Sequence, residues 1–569
     1  MDPRELVAPE PHDRRPQGEM IKSALRFALA ALALVFAVFT ANAEEVVVFA
    51  REPGYFTSLA KHVTRWLAGE GIAAPTRSAG ELASSLKGAK LAFLIGYNEP
   101  DAAEMRELAA FRARGGKLVV FYSASPALAR LMGVKVNGYR TAKYPGEWSR
   151  FVFTDRSLPG TPGSILQTST VLQSASPLKG SRTLATWVDR NGRSTGEAAF
   201  LATPGGWWMT HVMLADGDER LKARFLAAIV GNVLPSRWNW EKAKAKLDTE
   251  AAATRRYALS VPPATAEIHA VWDHSGCGLY PGDWPRTIAL LKDAGVTDLF
   301  VNVAGAAFAH YSSDVLPRSK TFTEEGDQLK ACLEAAAKSG IRVHAWVLCF
   351  TATRGSPARL EDFAKRGWRL KSTDGKLTEY LDPSNPAVRE HIFKAIDEIQ
   401  SKYPLLGGIH LDFVRWYEKS VRPKNAAEVI SKFVVEARRH VKRPRWFTTA
   451  VLGKYPACVA SVGQDWNSWL RTNSVDFVVP MDYTEDREWF AKLVAQHAST
   501  PGHAGRTIAG IGVTANESRL DARGVLDEIK LARAQRLAGV ALFDLDTTLE
   551  KDVLPYLKLG AWKNGKAAK

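Results

Sequence analysis

Two hydrophobic patterns alternate along residues 265–560. Short runs rich in Val, Ile, Leu and Phe are each followed by a stretch in which apolar residues recur every three or four positions. The first pattern is typical of buried strands and the second of amphipathic helices. Eight strands are predicted in this way, at residues 267–273, 297–304, 342–350, 407–416, 446–452, 474–483, 506–513 and 539–546.

Helical periodicity fills the segments between these strands. The helices are predicted at residues 284–294, 327–339, 386–402, 426–441, 465–472, 487–497 and 521–537, with a closing helix near 553–559. Eight strand and helix units within about 300 residues have the number and size of a (β/α)₈ TIM barrel. The predicted fold class of residues 265–560 is therefore α/β, with a TIM barrel.

A different α/β region precedes the barrel, at residues 44–235. Apolar strands at 45–50, 91–97 and 117–122 alternate with helices at 58–69 and 99–115, and 205–211 is predicted as a later strand. This order predicts an open parallel sheet covered by helices, of the flavodoxin or amidotransferase kind. Residues 236–264 are charged and alanine-rich and end in Pro262 and Pro263, which predicts a helical linker.

Residues 118–126 resemble the strand, turn and helix of glutamine-amidotransferase-like domains. Active members of that group carry a cysteine at the turn, where this chain has Ser123. The Gly-x-Ser-x-Gly frame that would make a serine a nucleophile is missing. The resemblance therefore implies an amidotransferase-like domain without catalysis.

The first 43 residues have the features of an export signal. Lys22 and Arg26 precede an apolar run at 27–39, and Ala41-Asn42-Ala43 forms a small-x-small cleavage pattern. Met20 is an alternative start, and an uncleaved membrane anchor is the alternative interpretation. We expect a periplasmic or secreted protein with no stable membrane insertion after cleavage.

Composition limits the partners. The 569 residues carry a net charge of +16, which suits an anionic partner such as a cell-wall polymer or an acidic polysaccharide, although a generally solvated basic surface explains it as well. The chain contains no recognisable nucleic-acid-binding motif. The four cysteines, at 277, 332, 349 and 458, form no metal-binding pattern, and one disulfide is conceivable. We expect neither a metal nor a cofactor.

Polar residues at the carboxyl ends of barrel strands are the functional candidates, because TIM barrels place their active sites there. The candidates combine carboxylates, imidazoles and aromatic rings. Aromatic rings stack on sugars, and two carboxyl groups cleave a glycosidic bond, so the set points to carbohydrate chemistry. The set comprises Trp272, Asp273, His344, Trp346, His410, Asp412, Arg415, Trp416, Asp482, Tyr483 and Asp544.

Asp412 and Asp482 are the predicted catalytic pair. Asp412 is assigned as the nucleophile or stabilising carboxylate, which Arg415 would keep ionised. Asp482 is assigned as the acid, because Met481 and Tyr483 would raise its pKa. Alternatively, the proton comes from Glu485, Glu418 or Asp544. The other candidates are predicted to bind substrate, although His410 is equally suited to fill the barrel interior.

From residue 267 to 546 the chain resembles the glycosyl-hydrolase-like family 10. The matching segments are 270–272 in the first strand, 408–412 in the fourth, 476–483 in the sixth, and 381–386 before a helix. The resemblance implies glycan hydrolysis outside the cytoplasm, on peptidoglycan strands or a secreted polysaccharide. Members often have a second acid directly after the fourth-strand aspartate, where this chain has Phe413.

The sequence thus predicts an exported glycoside hydrolase that acts on a cell-wall or extracellular polysaccharide, either a peptidoglycan glycan or another anionic or amino-sugar polymer. The competing hypothesis is a catalytically inactive glycan-binding or scaffold protein of the cell envelope. Phe413 and a fifth strand without any acid favour that alternative.

Overall fold

The structure is a computed structural model that describes residues 44–51, 54–215 and 217–563. The predicted export signal at 1–43 lies outside the described residues. Within them, no helix is both long and apolar enough to cross a membrane.

The amino-terminal region is built on one nine-stranded sheet with the order β2-β1-β3-β4-β11-β10-β9-β6-β7, and a separate hairpin pairs β5 with β8. Its strands are β1 Val46–Ala50, β2 Thr76–Ser78, β3 Leu91–Ile95, β4 Lys117–Phe121, β5 Val134–Thr141, β6 Trp148–Phe153, β7 Ser164–Ser169, β8 Val171–Pro177, β9 Arg182–Val188, β10 Ser194–Thr203 and β11 Gly206–Met209.

The sheet is parallel from β2 to β11 and antiparallel from β11 to β7. The prediction of a wholly parallel sheet is therefore correct for only one half. Helices cover the sheet or lead out of it: α1 Tyr55–Gly69, α2 Leu82–Leu86, α3 Ala102–Ala113, α4 Pro126–Met132 and α5 Glu219–Val233. A long helix, α6 Trp240–Leu259, then connects to the second region.

The second region is a closed barrel of eight parallel strands. In ring order these are β12 Ile268–Asp273, β13 Asp298–Gly305, β15 Arg342–Leu348, β18 Gly408–Asp412, β19 Trp446–Leu452, β20 Phe477–Met481, β21 Ile508–Gly512 and β22 Gly539–Phe543. Strand β12 pairs with both β13 and β22, which closes the ring. The TIM barrel prediction is confirmed, and each predicted strand overlaps an observed one.

Helices surround the barrel: α7 Trp284–Asp293, α8 Lys320–Glu325, α9 Gln328–Ala336, α10 Pro357–Lys365, α11 Pro386–Lys402, α12 Ala426–His440, α13 Ala457–Val462, α14 Trp466–Arg471, α15 Arg487–Ala498, α16 Ala522–Ala534 and α17 Leu554–Leu557. Capping side chains and first-turn prolines determine where several of these helices begin. Asn385 accepts the Ala387 N–H at 2.9 Å, and Pro386 occupies the first turn of α11, where a missing N–H costs nothing.

Two short additions modify the mouth of the barrel. Strand β14 Phe308–Ala309 folds back on β13. The hairpin of β16 Arg369–Lys371 and β17 Leu377–Leu381 follows the third barrel strand and bridges to the loop after β18 through Ser372 and Ser420. The hairpin therefore forms a wall beside the carboxyl end of β18.

Candidate active site

The barrel interior is filled by a separate apolar cluster. Alternate residues of a strand point to opposite faces, so one set faces the centre and the other faces the helices. The inner cluster contains Ile268, Ala270, Trp272, Phe300, Phe308, Trp346, Leu348, Val479, Ile508 and Ala541, with Phe413, Tyr483 and Phe543 packed against it. The mouth lies above this cluster, at the carboxyl ends of the strands.

Asp412 is the last residue of β18 and is 5% exposed. Burial raises the pKa of its carboxyl group, while the Arg415 charge, the Phe413 N–H and the Trp346 indole act in the opposite direction. The Phe413 N–H donates to Oδ1 of Asp412. Asp412 thus sits in a dry place where its nearest polar neighbours favour the ionised form.

Phe413 and Arg415 turn the chain away from β18. Phe413 has a φ of 53°, a left-handed conformation that is costly for a bulky side chain and is typically found at functional sites. The guanidinium of Arg415 lies 4.3 Å from the centre of the Phe413 ring. The predicted position of Arg415 beside Asp412 is therefore observed.

Tyr483 and Asp544 follow β20 and β22, at the same end of the barrel as Asp412. The Tyr483 ring stacks on Phe543 at 5.4 Å and meets Trp272 edge-on at 6.4 Å. Burial raises the pKa of the Tyr483 hydroxyl, and the charges of Asp412 and then Asp544 raise it further. Tyr483 therefore stands within electrostatic reach of both acids.

Asp544 follows β22 and is half-buried. Its Oδ1 accepts a hydrogen bond from the Thr514 hydroxyl at 3.0 Å. Burial, and then the negative charge of Asp546, raise the pKa of Asp544 to about 7. Asp546 itself accepts the Leu549 N–H at 2.8 Å, so it holds the turn after β22.

Asp482 is not placed where the sequence predicted. Both of its carboxylate oxygens lie within 2.9 and 3.0 Å of His497 Nε2 on α15, and both side chains are fully buried. Burial raises the pKa of Glu528, on α16, to about 9, and the negative charge of Asp482 adds to this increase. Asp482 therefore points into the layer between the barrel and its helices, and the predicted pairing with Asp412 across the mouth is wrong.

His410 belongs to the barrel core. Its Nε2 accepts the indole N–H of Trp272 at 3.0 Å, and its Nδ1 lies 2.8 Å from the Thr448 hydroxyl. Because an indole can only donate, Nε2 is unprotonated and Nδ1 donates to Thr448. Burial holds the pKa of His410 well below its usual value. His410 and Trp272, which is 1% exposed, form the floor under the mouth and do not reach a ligand in it.

Three other predicted substrate-binding residues have structural contacts. His344 pairs with Asp298, the first residue of β13, at 2.8 Å and so lies towards the amino-terminal end of the barrel. Asp273 accepts backbone N–H groups of Ser275, Gly276 and Gly278 and thereby shapes the loop after β12. These contacts contradict substrate-binding roles for both residues.

Trp416 packs in the outer hydrophobic core, where it is 3% exposed and donates its indole N–H to the Val421 carbonyl at 3.2 Å. It is not available to a substrate. By contrast, Trp346 faces inward beside Asp412 and is consistent with the predicted position, although it is only 3% exposed.

Two residues outside the predicted binding set also lie at the mouth. His274 directly follows β12, and its ring lies 5.8 Å from both Trp346 and Phe543. Arg354 donates to His274 Nε2 at 3.1 Å. Partial desolvation, and then the Arg354 charge, lower the pKa of His274 to about 4, so it is neutral at pH 7. His274 shares an inward face with Trp272, two residues earlier, and that parity is the signal that identifies it.

Three buried polar atoms around the mouth have no hydrogen-bond partner among the described residues: Asn302 Oδ1, Trp346 Nε1 and Arg415 Nη1. The Trp346 indole faces Asp412, but the contact is not a well-formed hydrogen bond. Unpaired buried polar groups are costly and rare in folded proteins. They are three of fifteen such atoms in the described part of the chain, and a polar ligand in the mouth could pair with them.

An open cleft of about 550 Å³ lies between the β16–β17 hairpin and the segment 417–419. Its aromatic wall is a face-to-face pair, Tyr380 and Tyr417, with ring centres 3.9 Å apart. The Tyr380 ring lies 6.3 Å from the Phe413 ring. The volume is within the range of small-molecule sites.

Within the described residues, no group of three or more His, Cys, Asp or Glu side chains is arranged to hold a metal ion. All four cysteines are free. In the amino-terminal region, Ser123 is buried and its hydroxyl donates to the Tyr97 carbonyl at 2.6 Å. That hydroxyl is therefore occupied, whereas the resemblance of this region to amidotransferase-like domains stays a prediction.

Comparison with known proteins finds one family model that matches part of the barrel. The family model described as Glycosyl hydrolase-like 10 matches residues 282–448. No curated protein matches the chain significantly.

Several solved structures are similar at low identity. Alpha-L-fucosidase isoenzyme 2 from Paenibacillus thiaminolyticus is 11% identical, with a TM-score of 0.36 over 52% of this chain and 48% of that one. The chain thus spans about half the length of the fucosidase. A beta-galactosidase from Rahnella sp. R3 is 14% identical, with a TM-score of 0.37 over 50% and 51% of the two chains. The endo-1,4-beta-mannanase from Rhizomucor miehei is 11% identical, with a TM-score of 0.36 over 50% and 89%.

The matched range begins in the loop after β12 and ends within β19, so it contains Trp346, Asp412 and Arg415 but neither Tyr483 nor Asp544. The resemblance expected from the sequence is confirmed there: residues 282–448 match the Glycosyl hydrolase-like 10 family.

Proposed function

We propose that the barrel hydrolyses O-glycosidic bonds of a polysaccharide, with Asp412 and Asp544 as the two reacting carboxyl groups. The observation that carries the proposal is their contrast in environment around one mouth. Asp412 has a cation, a backbone N–H and an indole beside it, whereas Asp544 has the negative Asp546. Two carboxyl groups whose surroundings separate their protonation states are what glycoside hydrolysis needs.

Asp412 acts as the nucleophile or as the stabilising carboxylate. Positive charge develops at the anomeric carbon as the glycosidic bond breaks, and an ionised carboxylate stabilises it. Burial raises the pKa of Asp412, and the Arg415 charge opposes this by favouring the ionised form. The Phe413 N–H fixes the direction in which the carboxylate points, and Trp346 belongs to the inner cluster beside it.

Asp544 replaces Asp482 as the proton donor. A general acid works best when its pKa lies near the working pH, and the pKa of Asp544 is about 7. Asp544 gives its proton to the leaving oxygen, water supplies the hydroxyl group that ends on the anomeric carbon, and the remaining proton of that water restores the acid form of Asp544. Tyr483, which lies within reach of both acids, is placed to hydrogen-bond the sugar between them.

The proposed setting is the periplasm or the extracellular space, and the proposed substrate is a cell-wall or extracellular polysaccharide. The signal-like residues 1–43 and the net charge of +16 support this setting, since a basic exported protein is attracted to anionic polymers.

A second candidate function is glycan binding without cleavage. The outer-layer position of Asp482 favours it, because one of the two predicted acids is absent from the mouth. The unpaired atoms at Asn302, Trp346 and Arg415 would serve a binding site equally well.

The deciding experiment incubates the purified protein with peptidoglycan, polyuronates, chitosan and neutral glucans and measures newly formed reducing ends. The proposal predicts release from at least one polymer and its loss in Asp412→Asn and Asp544→Asn. Binding of a polymer without any release would instead establish the glycan-binding function.

A further inference from the structure

The Arg415 guanidinium is partly buried, and one of its nitrogens has no hydrogen-bond partner among the described residues. Its Nη1 atom is inaccessible to solvent and donates no hydrogen bond. The guanidinium stacks on Phe413 and lies close enough to Asp412 to favour its ionised form, but the two form no ion pair within hydrogen-bond distance. A buried charged donor without a hydrogen-bond partner is energetically costly. An acceptor brought by a ligand would remove that cost.

The cleft beside the β16–β17 hairpin adjoins this guanidinium. Arg415 acts electrostatically on the Tyr380 hydroxyl, and Tyr380 forms the aromatic wall of the cleft together with Tyr417. Lys376 and Lys419 also line the cleft. The cleft wall therefore offers both rings and cations, and Phe413, whose ring lies 6.3 Å from Tyr380 and 4.3 Å from the Arg415 guanidinium, connects it to Arg415.

The acids around the cleft differ from Arg415 in their exposure. Glu379 and Glu418 are exposed, so water and salt screen their charges. Lys376 pairs with exposed Asp374 at 3.1 Å. Among these charged groups, Arg415 is partly buried. Water therefore screens its electrostatic interaction with a ligand the least.

We propose that this cleft is a subsite for a carboxylate-bearing sugar, such as a uronic acid, whose carboxylate pairs with Arg415 while the sugar lies against the Tyr380–Tyr417 wall. A guanidinium presents parallel N–H groups that match the two oxygens of a carboxylate, and such charge-assisted pairs are stronger than bonds to neutral hydroxyl groups. This inference rests on the proposed function, because it places the acidic sugar in the chain that Asp412 and Asp544 cleave.

The test compares polyuronate oligosaccharides (from alginate, polygalacturonate and hyaluronan) with the same oligosaccharides after chemical reduction of their carboxyl groups to alcohols. The wild type is expected to have a kcat/KM on the order of 10- to 100-fold higher for at least one acidic form than for its reduced form. Arg415→Met should abolish this preference. Arg439→Met, which removes an exposed charge from α12, should retain it.

Two results would overturn the subsite. One is a wild type that cleaves or binds the reduced forms at least as well as the acidic forms. The other is an Arg415→Met variant that loses activity equally on both forms, since that is the effect of Arg415 acting only through Asp412.

A binding measurement separates this inference from the proposed function. Calorimetry with the Asp412→Asn variant measures affinity for acidic and reduced hexasaccharides when cleavage is blocked. Tighter binding of the acidic form that disappears when Arg415→Met is added supports the subsite even if the wild type cleaves none of the polymers. Cleavage without any preference for the acidic form would retain the hydrolase and eliminate the subsite.

Discussion

Asp482 and His497 form a fully buried pair, in which His497 Nε2 lies within 3.0 Å of both carboxylate oxygens of Asp482. Asp482 directly follows β20, and His497 is on α15. The pair therefore ties the barrel wall to its outer helices, and the acid of the sixth-strand motif has a structural role. A sugar in the mouth does not reach it.

Removing one partner of this pair is expected to destabilise the protein without changing its chemistry. Asp482→Ala leaves His497 buried without its partner and should lower the free energy of unfolding by roughly 3–5 kcal/mol. The kcat per folded molecule should stay within about threefold of the wild type, because the catalytic groups are elsewhere. Urea unfolding and turnover of the same preparations measure both quantities. In the Asp482→Ala/His497→Ala double variant, the loss should be clearly smaller than the sum of the single losses.

The protonation of Asp544 should determine how kcat falls at alkaline pH. Because a general acid must be protonated and the pKa of Asp544 is about 7, kcat is expected to fall as pH rises through about 7. Asp544→Asn should lose roughly 10²- to 10⁴-fold on natural polymers. On aryl glycosides whose leaving group needs no proton, the loss should be far smaller and the alkaline limb should disappear. An equal loss on both kinds of substrate would remove Asp544 from the acid role.

Asp544 should also make the free energy of unfolding depend on pH. The folded pKa of Asp544, about 7, is higher than the ordinary value of 3.8, so the folded state holds its proton more tightly than the unfolded chain. Its contribution is fully present below about pH 4 and is lost as pH rises through 7. The stability of Asp544→Asn relative to the wild type should therefore increase over this interval by a few kcal/mol at most. Urea midpoints at pH 4, 5.5 and 7.5 test the trend.

His410 should make the free energy of unfolding depend on pH in the opposite direction. Its folded pKa is well below the ordinary value of 6.5, because burial favours the neutral ring. Stability from the neutral ring is present above about pH 6.5 and is lost as pH falls below it. The His410→Gln variant should be less stable than the wild type at pH 7. Its free energy of unfolding should, however, lack the part of the decrease below pH 6.5 that protonation of His410 causes. An unchanged slope of stability against pH between 6.5 and 4.5 would contradict the assignment.

The barrel was predictable because its signals are local and repeated. Predicted and observed bounds coincide for β19, at Trp446–Leu452, and for α11, at Pro386–Lys402. Strand β18 ends at Asp412, four residues before its predicted end, because Phe413 adopts a left-handed conformation. In the amino-terminal region, β6, β7, β9 and β10 were missed, since their mixed polarity is decided by pairing with distant strands.

The site was predicted only in part because both faces of a parallel barrel strand are apolar. In β20, Val478 packs outward and Val479 inward, and the sequence does not distinguish them. By alternation, Asp482 then faces the helices and Tyr483 the mouth. By the same alternation, Asp273 points away from the barrel centre, whereas Trp272 and His274 point towards it. Asp412 and Asp544 were recognisable as strand-end acids, and Arg415 and Asp546 lie close to them in the sequence, but the burial that raises the pKa of both acids depends on the fold.

The most direct test of the account is the reducing-end assay with wild type, Asp412→Asn and the control Asp397→Asn, which alters an exposed acid on α11. On whichever polysaccharide the wild type cleaves, the account predicts that Asp412→Asn loses roughly 10³-fold in kcat, whereas the control retains full activity. Cleavage by Asp412→Asn at the wild-type rate would contradict it.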